Sequence, residues 1–250
     1  MRNAVVSFLL VVCVVGVAFA EDEAASKGIG IDVTADFYSK YVWRGQILTD
    51  DWVFQPGASA TIGGFTLGAW GNVDMTDEND EEWEFTEYDY YIDYSGDITD
   101  GIAYSLGYIY YKFPSVGGDT YEFYGGLSFD TILSPSVTWY YDADEVEGSY
   151  VAIGLGHSVE EIGKLSEDIP IGMDIGLNIG WGDSDYNNAY WSVDNSGFND
   201  LTLTFAFPVA LGNWSVTPSL NYMTLLDSDV RDSAGDDDAF FAGIGIGTSF

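Results

Sequence analysis

From residue 31 onward the chain alternates between apolar and polar positions. In residues 31–44, Ile31, Val33, Ala35, Phe37, Tyr41 and Trp43 fall on one side, and Asp32, Thr34, Asp36, Tyr38, Lys40 and Arg44 on the other. Successive side chains of a strand point to opposite faces, so such a segment has one apolar face and one polar face. The same period recurs in residues 53–62, 65–74, 85–94, 102–112, 121–130, 134–142, 150–158, 171–182, 201–209, 214–225 and 239–250. That predicts about twelve strands, each near the ~9–11 residues that cross a bilayer as a tilted strand. The cleanest is 171–182, where Ile171, Met173, Ile175, Leu177, Ile179 and Trp181 alternate with Gly172, Asp174, Gly176, Asn178, Gly180 and Gly182. No segment holds a sustained helical period; residues 159–168 are the one stretch with room for a short helix.

Soluble sandwiches alternate too, so the connections decide. Every second connection is long and acidic: 76–84 (with Asp77, Glu78, Asp80, Glu81 and Glu82), 142–147, 183–198 and 227–238. The intervening ones are mostly tight, as at Gly63-Gly64, 95–101, 131–133 and 211–213, with 159–170 the exception. An even strand number with short turns at one end and long loops at the other is the pattern of bacterial outer-membrane barrels. Aromatics on the apolar phase sort to the strand ends: Trp43, Phe54, Tyr88, Tyr121, Trp139, Tyr141 and Trp181 at one end; Phe65, Tyr94, Phe129, Phe207, Trp214 and Phe250 at the other. Amphipathic rings at headgroup depth form two such girdles. The expected fold is all-β, a single antiparallel transmembrane β-barrel of about twelve strands.

The two ends agree with this. Residues 1–20 read as a secretory signal peptide: Met1-Arg2-Asn3, an apolar run, then Ala18-Phe19-Ala20 before an acidic start. The barrel is then expected over 21–250, without a cysteine, because Cys13 leaves with the signal. The last segment ends on Phe250 and resembles the assembly signal of bacterial outer-membrane barrels. That implies export to a Gram-negative-type outer membrane and recognition by the barrel-assembly machinery through Phe250. The stretch Ala35-Asp36-Phe37-Tyr38-Ser39-Lys40-Tyr41-Val42-Trp43-Arg44-Gly45 resembles the opening of the TorF family of porins, and Phe54-Gln55-Pro56-Gly57 and Gly68-Ala69-Trp70-Gly71-Asn72 resemble its next two strands. The resemblance covers about the first quarter of the mature chain and implies an outer-membrane barrel with a pore role, without a substrate or catalytic residues.

A net charge of -34 excludes nucleic acid as a partner, since a phosphate backbone calls for Lys and Arg. Disorder does not follow from it, because 16% of the residues are aromatic. The chemistry sits on the polar phase. Asp32, Asp36, Lys40 and Arg44, then Glu87, Asp89 and Asp93, Glu122 and Asp174 are expected to line a pore. A bare carboxylate needs water or a partner, so these positions predict a wet lumen that passes small solutes and prefers cations. The alternative is a filled structural or adhesive surface barrel, with Lys40 and Arg44 as internal counter-ions and Tyr38, Trp70, Tyr91, Tyr124 and Tyr140 closing the bore. The acidic loops would then serve as the binding surface.

Enzyme chemistry finds little footing. His157 is the one histidine, on the apolar phase with no inward serine beside it, so no catalytic triad is expected. Asp227-Ser228-Asp229-Val230-Arg231-Asp232 opens like a calcium loop but places Arg231 where an oxygen ligand belongs. No catalytic, cofactor-binding or metal residue is assigned. The expected partners are outer-membrane lipid and small solutes or cations, with the oligomeric state left open.

Overall fold

The alternating segments form strands, and each exchanges hydrogen bonds with a neighbour on both sides. The computed structural model describes residues 28–80 and 82–250, so the expected signal peptide lies outside the described residues. The strands are β1 (Gly30–Tyr38), β2 (Tyr41–Trp43), β3 (Gln46–Thr49), β4 (Val53–Ile62), β5 (Phe65–Asp74), β6 (Glu84–Thr99), β7 (Ile102–Lys112), β8 (Thr120–Phe129), β9 (Ser136–Asp142), β10 (Ser149–Ser166), β11 (Ile169–Gly182), β12 (Gly197–Ala206), β13 (Val209–Leu211), β14 (Trp214–Leu225) and β15 (Asp238–Ser249). Two short helices, α1 (Ser184–Trp191) and α2 (Ser228–Ser233), lie in the connections that follow β11 and β14.

Twelve of these strands make the wall. The ring runs in chain order through β1, β4 to β12, β14 and β15, and returns to β1, every pair antiparallel. Closure is direct: Asp32 opposes Ser249, and the Ile31 and Phe250 backbones exchange hydrogen bonds of 3.1 and 2.9 Å. A closed ring leaves no unpaired edge, the condition for crossing hydrocarbon with strands. The short β13 continues β12 past Phe207-Pro208 and caps the hairpin into β14.

One phase faces out and is apolar. Leu67, Ile92, Phe123, Ile153, Leu155, Leu220 and Ile244 are exposed along it, with Trp139 near the loop rim and Phe65, Tyr94 and Trp214 near the rim where the termini meet. The other phase faces in and is packed by a repeated device: a tyrosine ring laid over the glycine opposite it on the next strand. Tyr91 covers Gly68, Tyr124 covers Gly107 and Tyr38 covers Gly243, each a register pair. These three inward glycines are therefore seats for rings.

Three expectations need correction. The first strand does not run to Arg44; it stops at Tyr38, and residues 39–52 turn into the barrel. Trp43 consequently leaves the outer girdle and is buried inside, at 8% exposure. Residues 159–168 form no helix; β10 and β11 extend through them as a projecting hairpin, with register shifts after Val159 and Lys164.

Candidate functional site

The lumen is crossed by a hairpin that the alternating pattern had hidden. β2 and β3 pair only with each other, Trp43 opposite Gln46, around Arg44-Gly45. Both turn residues have positive φ, 44° and 85°. That is what a two-residue primed hairpin turn requires, and glycine supplies half of it without strain. Gly45 also has no room for a side chain: a Cβ would lie 2.8 Å from Asp200 Cβ and 2.8 Å from Leu225 Cδ2.

The hairpin leaves the wall at β1 and its tip reaches the opposite side. Counting round the ring, β9 stands diametrically across from β1, flanked by β8 and β10. Arg44 meets all three. Its Nη1 and Nη2 donate to Glu122 Oε1 and Oε2 of β8 at 2.7 and 2.8 Å. Its guanidinium lies 4.4 Å from the Tyr140 ring centre of β9 and 4.6 Å from that of Tyr150 on β10. The Trp43 ring stands 4.6 Å away on the hairpin itself. The Arg44 and Glu122 side chains are 5% and 3% exposed. A two-point guanidinium–carboxylate pair with stacked aromatic faces is a geometry that lysine cannot reproduce.

Two more wall carboxylates hold the hairpin. Tyr41 donates its hydroxyl to Glu87 Oε2 of β6 at 2.8 Å, and Thr49 donates to Asp74 Oδ1 of β5 at 3.0 Å. Asp74 also accepts from Asn72 and Asn79. Lys40 pairs with Asp50 across the hairpin's base. Tyr41, Val42 and Trp43 pack with Trp70, Trp191, Val193, Met223, Leu225 and Val230 in one buried cluster, so α1 and α2 close over the hairpin at the loop rim. The α1 N-cap Asp183 accepts from the Tyr186 backbone, and Asp227, read from sequence as a calcium-loop start, caps α2 by accepting from Asp229 and Val230. Outside the wall, Lys112 and the Phe113 amide hold the Asp119 carboxyl below the usual carboxylate range.

Toward the terminal rim the bore is polar. Asp32 accepts from Ser249 Oγ at 2.5 Å, and Asp93 accepts from Ser105 Oγ at 2.5 Å and Tyr124 OH at 2.7 Å. Asp36 is buried against Gly245. Asp174 is half-buried between Ser158 and Ala206 in register, with Asn178, Thr202 and Thr204 half-buried nearby on the same phase. Among the described residues no Lys or Arg faces this part: Lys112 and Arg231 lie at the loop rim, and Lys164 lies on the projecting turn beside Glu161.

The seven predicted acids, Asp32, Asp36, Glu87, Asp89, Asp93, Glu122 and Asp174, all lie on inward-facing positions of the wall. The two predicted bases do not. Lys40 and Arg44 belong to the inserted hairpin, and its turn carries Arg44 across the bore. Asp74, Asp142 and Asp200 are inward and buried, yet were not singled out. Parity would have found them: Asp74 follows Trp70 and Asn72, Asp142 follows Tyr140, and Asp200 precedes Thr202 on the same face. Asp200 accepts from Tyr150 OH at 3.0 Å, and Asp142 from Thr120 Oγ1 at 2.8 Å. His157 pairs through Nδ1 with the Ile132 carbonyl at 2.8 Å.

These features define a β-barrel of the outer-membrane kind, with an apolar exterior, an acidic interior and an internal plug. Solved structures agree on the fold. The KdgM porin matches with a TM-score of 0.50 and 12% identity, over 88% of this chain and 99% of that one. The NanC porin matches at 0.48 and 16%, over 88% and 98%. An outer membrane channel from Pseudomonas putida F1 matches at 0.46 and 10%, over 91% and 97%. At 12% identity the likeness to the KdgM porin shows the fold alone. No protein-family model and no curated protein matches the chain.

Proposed function

We propose that this chain is an outer-membrane channel for small solutes that prefers cations. The observation that carries the reading is the lower bore, lined by Asp32, Asp36, Asp93 and Asp174 and, among the described residues, faced by no base. Carboxylates around a low-dielectric passage raise the local cation concentration and repel anions. The apolar outer phase fits a lipid surround, the fold is shared with the KdgM porin, and export through residues 1–20 with assembly through Phe250 completes the route. The TorF reading rests on the resemblance of residues 35–45, 54–57 and 68–72, and the second half of the first stretch forms the inserted hairpin. The test is a reversal potential across a planar bilayer in a salt gradient, with the barrel refolded. Discrete conductance steps with a cation-side potential support the reading; an anion-side potential refutes the preference.

The hairpin favours a second reading. A plug that crosses the whole bore and buries its charged pair is also how a filled structural or adhesive barrel would be built. Persistent silence of the folded barrel, together with surface binding lost on shortening the acidic loops, supports that alternative.

A further inference from the structure

We infer that Arg44 and Glu122 form the latch of a gate: the β2–β3 hairpin is a movable plug, and parting this pair opens the bore. The inference rests on the channel reading.

The hairpin is built to be separable from the wall. Its strands form their own two-stranded sheet, and among the described residues no backbone hydrogen bond ties residues 41–49 to a barrel strand. Its roots are fixed instead. The Ser39 amide donates to the Ala242 carbonyl at 2.9 Å and Ser39 Oγ accepts from the Ala242 amide at 3.0 Å, while the Trp52 carbonyl accepts from the Met75 amide at 3.0 Å. Between these roots only side chains hold the plug, and they grade with distance from them. Lys40–Asp50 closes the base, Thr49–Asp74 and Tyr41–Glu87 hold the flanks, and Arg44–Glu122 holds the tip on the far wall. The tip pair is the charged contact that ties the hairpin to the far wall, beside the packing of Trp43 on Tyr111 and Tyr190 and of Gly45 on Asp200 and Leu225. Its loss would let the hairpin swing about residues 39 and 52 without breaking any barrel ladder.

Glu122 is committed to this task. It accepts both Arg44 bonds and one from Tyr111 OH at 2.8 Å, so an undocked tip would leave a buried carboxylate held by one neutral donor. A buried charge stripped of its partner favours whatever state rehydrates it. Opening therefore admits water to the wall at Glu122, adding one carboxylate to the acidic passage below.

The experiment is single-channel recording on the refolded full chain, with heat-modifiable gel migration confirming a closed barrel for each variant. The variants are Glu122→Gln, Arg44→Met, a control Lys112→Ala that breaks only the exposed loop pair with Asp119, and a chain in which residues 41–49 are replaced by a short Gly-Ser turn. The expected result is a mostly closed wild type and control, with open probability raised about tenfold or more in both latch variants. Equal, steady conductance in wild type and latch variants overturns the latch and leaves the channel standing. Silent latch variants beside a conducting hairpin replacement also overturn it, because the hairpin is then a fixed plug. A folded hairpin replacement that stays silent overturns the channel reading itself.

Discussion

The Tyr124 ring lies across Gly107, its register partner on the adjacent strand, while the Tyr124 hydroxyl donates to Asp93 at 2.7 Å. One residue thus covers a bare stretch of backbone and anchors a lumen carboxylate. A methyl group at position 107 would overlap the ring and push the hydroxyl away from Asp93. Gly107→Ala is expected to destabilise the barrel by about 1–3 kcal/mol, the usual cost of forcing atoms into a packed interior. A lower urea midpoint for the lipid-embedded barrel is the check, with Gly163→Ala, where a Cβ meets nothing, as the neutral comparison.

Trp43 packs edge-on to Tyr190 of α1 at 5.3 Å and to Tyr111 of β7 at 6.4 Å. Removing its ring should loosen the hairpin inside an intact wall, at about 3–5 kcal/mol for a buried large-to-small change. Arg44 is nearly inaccessible in the docked state, so trypsin should cut after it slowly in the wild type and readily in Trp43→Ala. Mass analysis of the fragments reads this out, and equal protection in the two proteins would mean that Trp43 does not hold the tip.

Selectivity should follow the lower bore. Replacing Asp32, Asp36 and Asp174 together by asparagine is expected to move the reversal potential toward zero. The change should be larger at about 0.1 M than at about 1 M salt, because the screening length falls from ~10 Å to ~3 Å. Asp119→Asn, on an exposed loop, should leave the potential where it was. A triple variant as selective as the wild type would count against control by these carboxylates.

Leu177 and Asn178 are neighbours on β11 with opposite faces, one apolar and outward, one polar and inward. If the outer phase meets lipid, Leu177→Arg should cost about 2–4 kcal/mol and Trp214→Arg, at the rim, only about 0–1 kcal/mol. Reversible unfolding from phospholipid vesicles measures both. Equal costs at the two depths would argue against a membrane-spanning wall.

The wall was legible because its period is two and every strand obeys it. The twelve expected segments match the twelve wall strands. The inward carboxylates were legible for the same reason, and Asp74, Asp142 and Asp200 were passed over at strand ends, where the parity was not carried far enough. The plug was not legible. Tyr41, Trp43, Lys40 and Arg44 keep the alternation of β1 in the sequence, so 40–44 reads as its continuation, although Tyr41, Val42 and Trp43 are all buried. The break at Ser39-Lys40 carries no proline or glycine, and the turn at Arg44-Gly45 looks like a strand ending at a loop. Residues 159–168 went the other way: the stretch had room for a short helix, but pairing with β11 makes it strand.

The ladder between Asp32 and Ser249 joins residues 217 apart in the chain. Such a contact cannot form until almost all of the protein is available, and its loop-closure cost falls due before any reward. The docked tip comes later still, because Arg44 and Gly45 touch residues of β8, β9, β10, β12 and β14 that only the shaped wall brings together. A hairpin tied to the wall by no backbone ladder can enter through the loop rim after the last seam shuts. Wall closure and plug docking are therefore separable events in assembly, the first slow and long-range, the second a local side-chain fit.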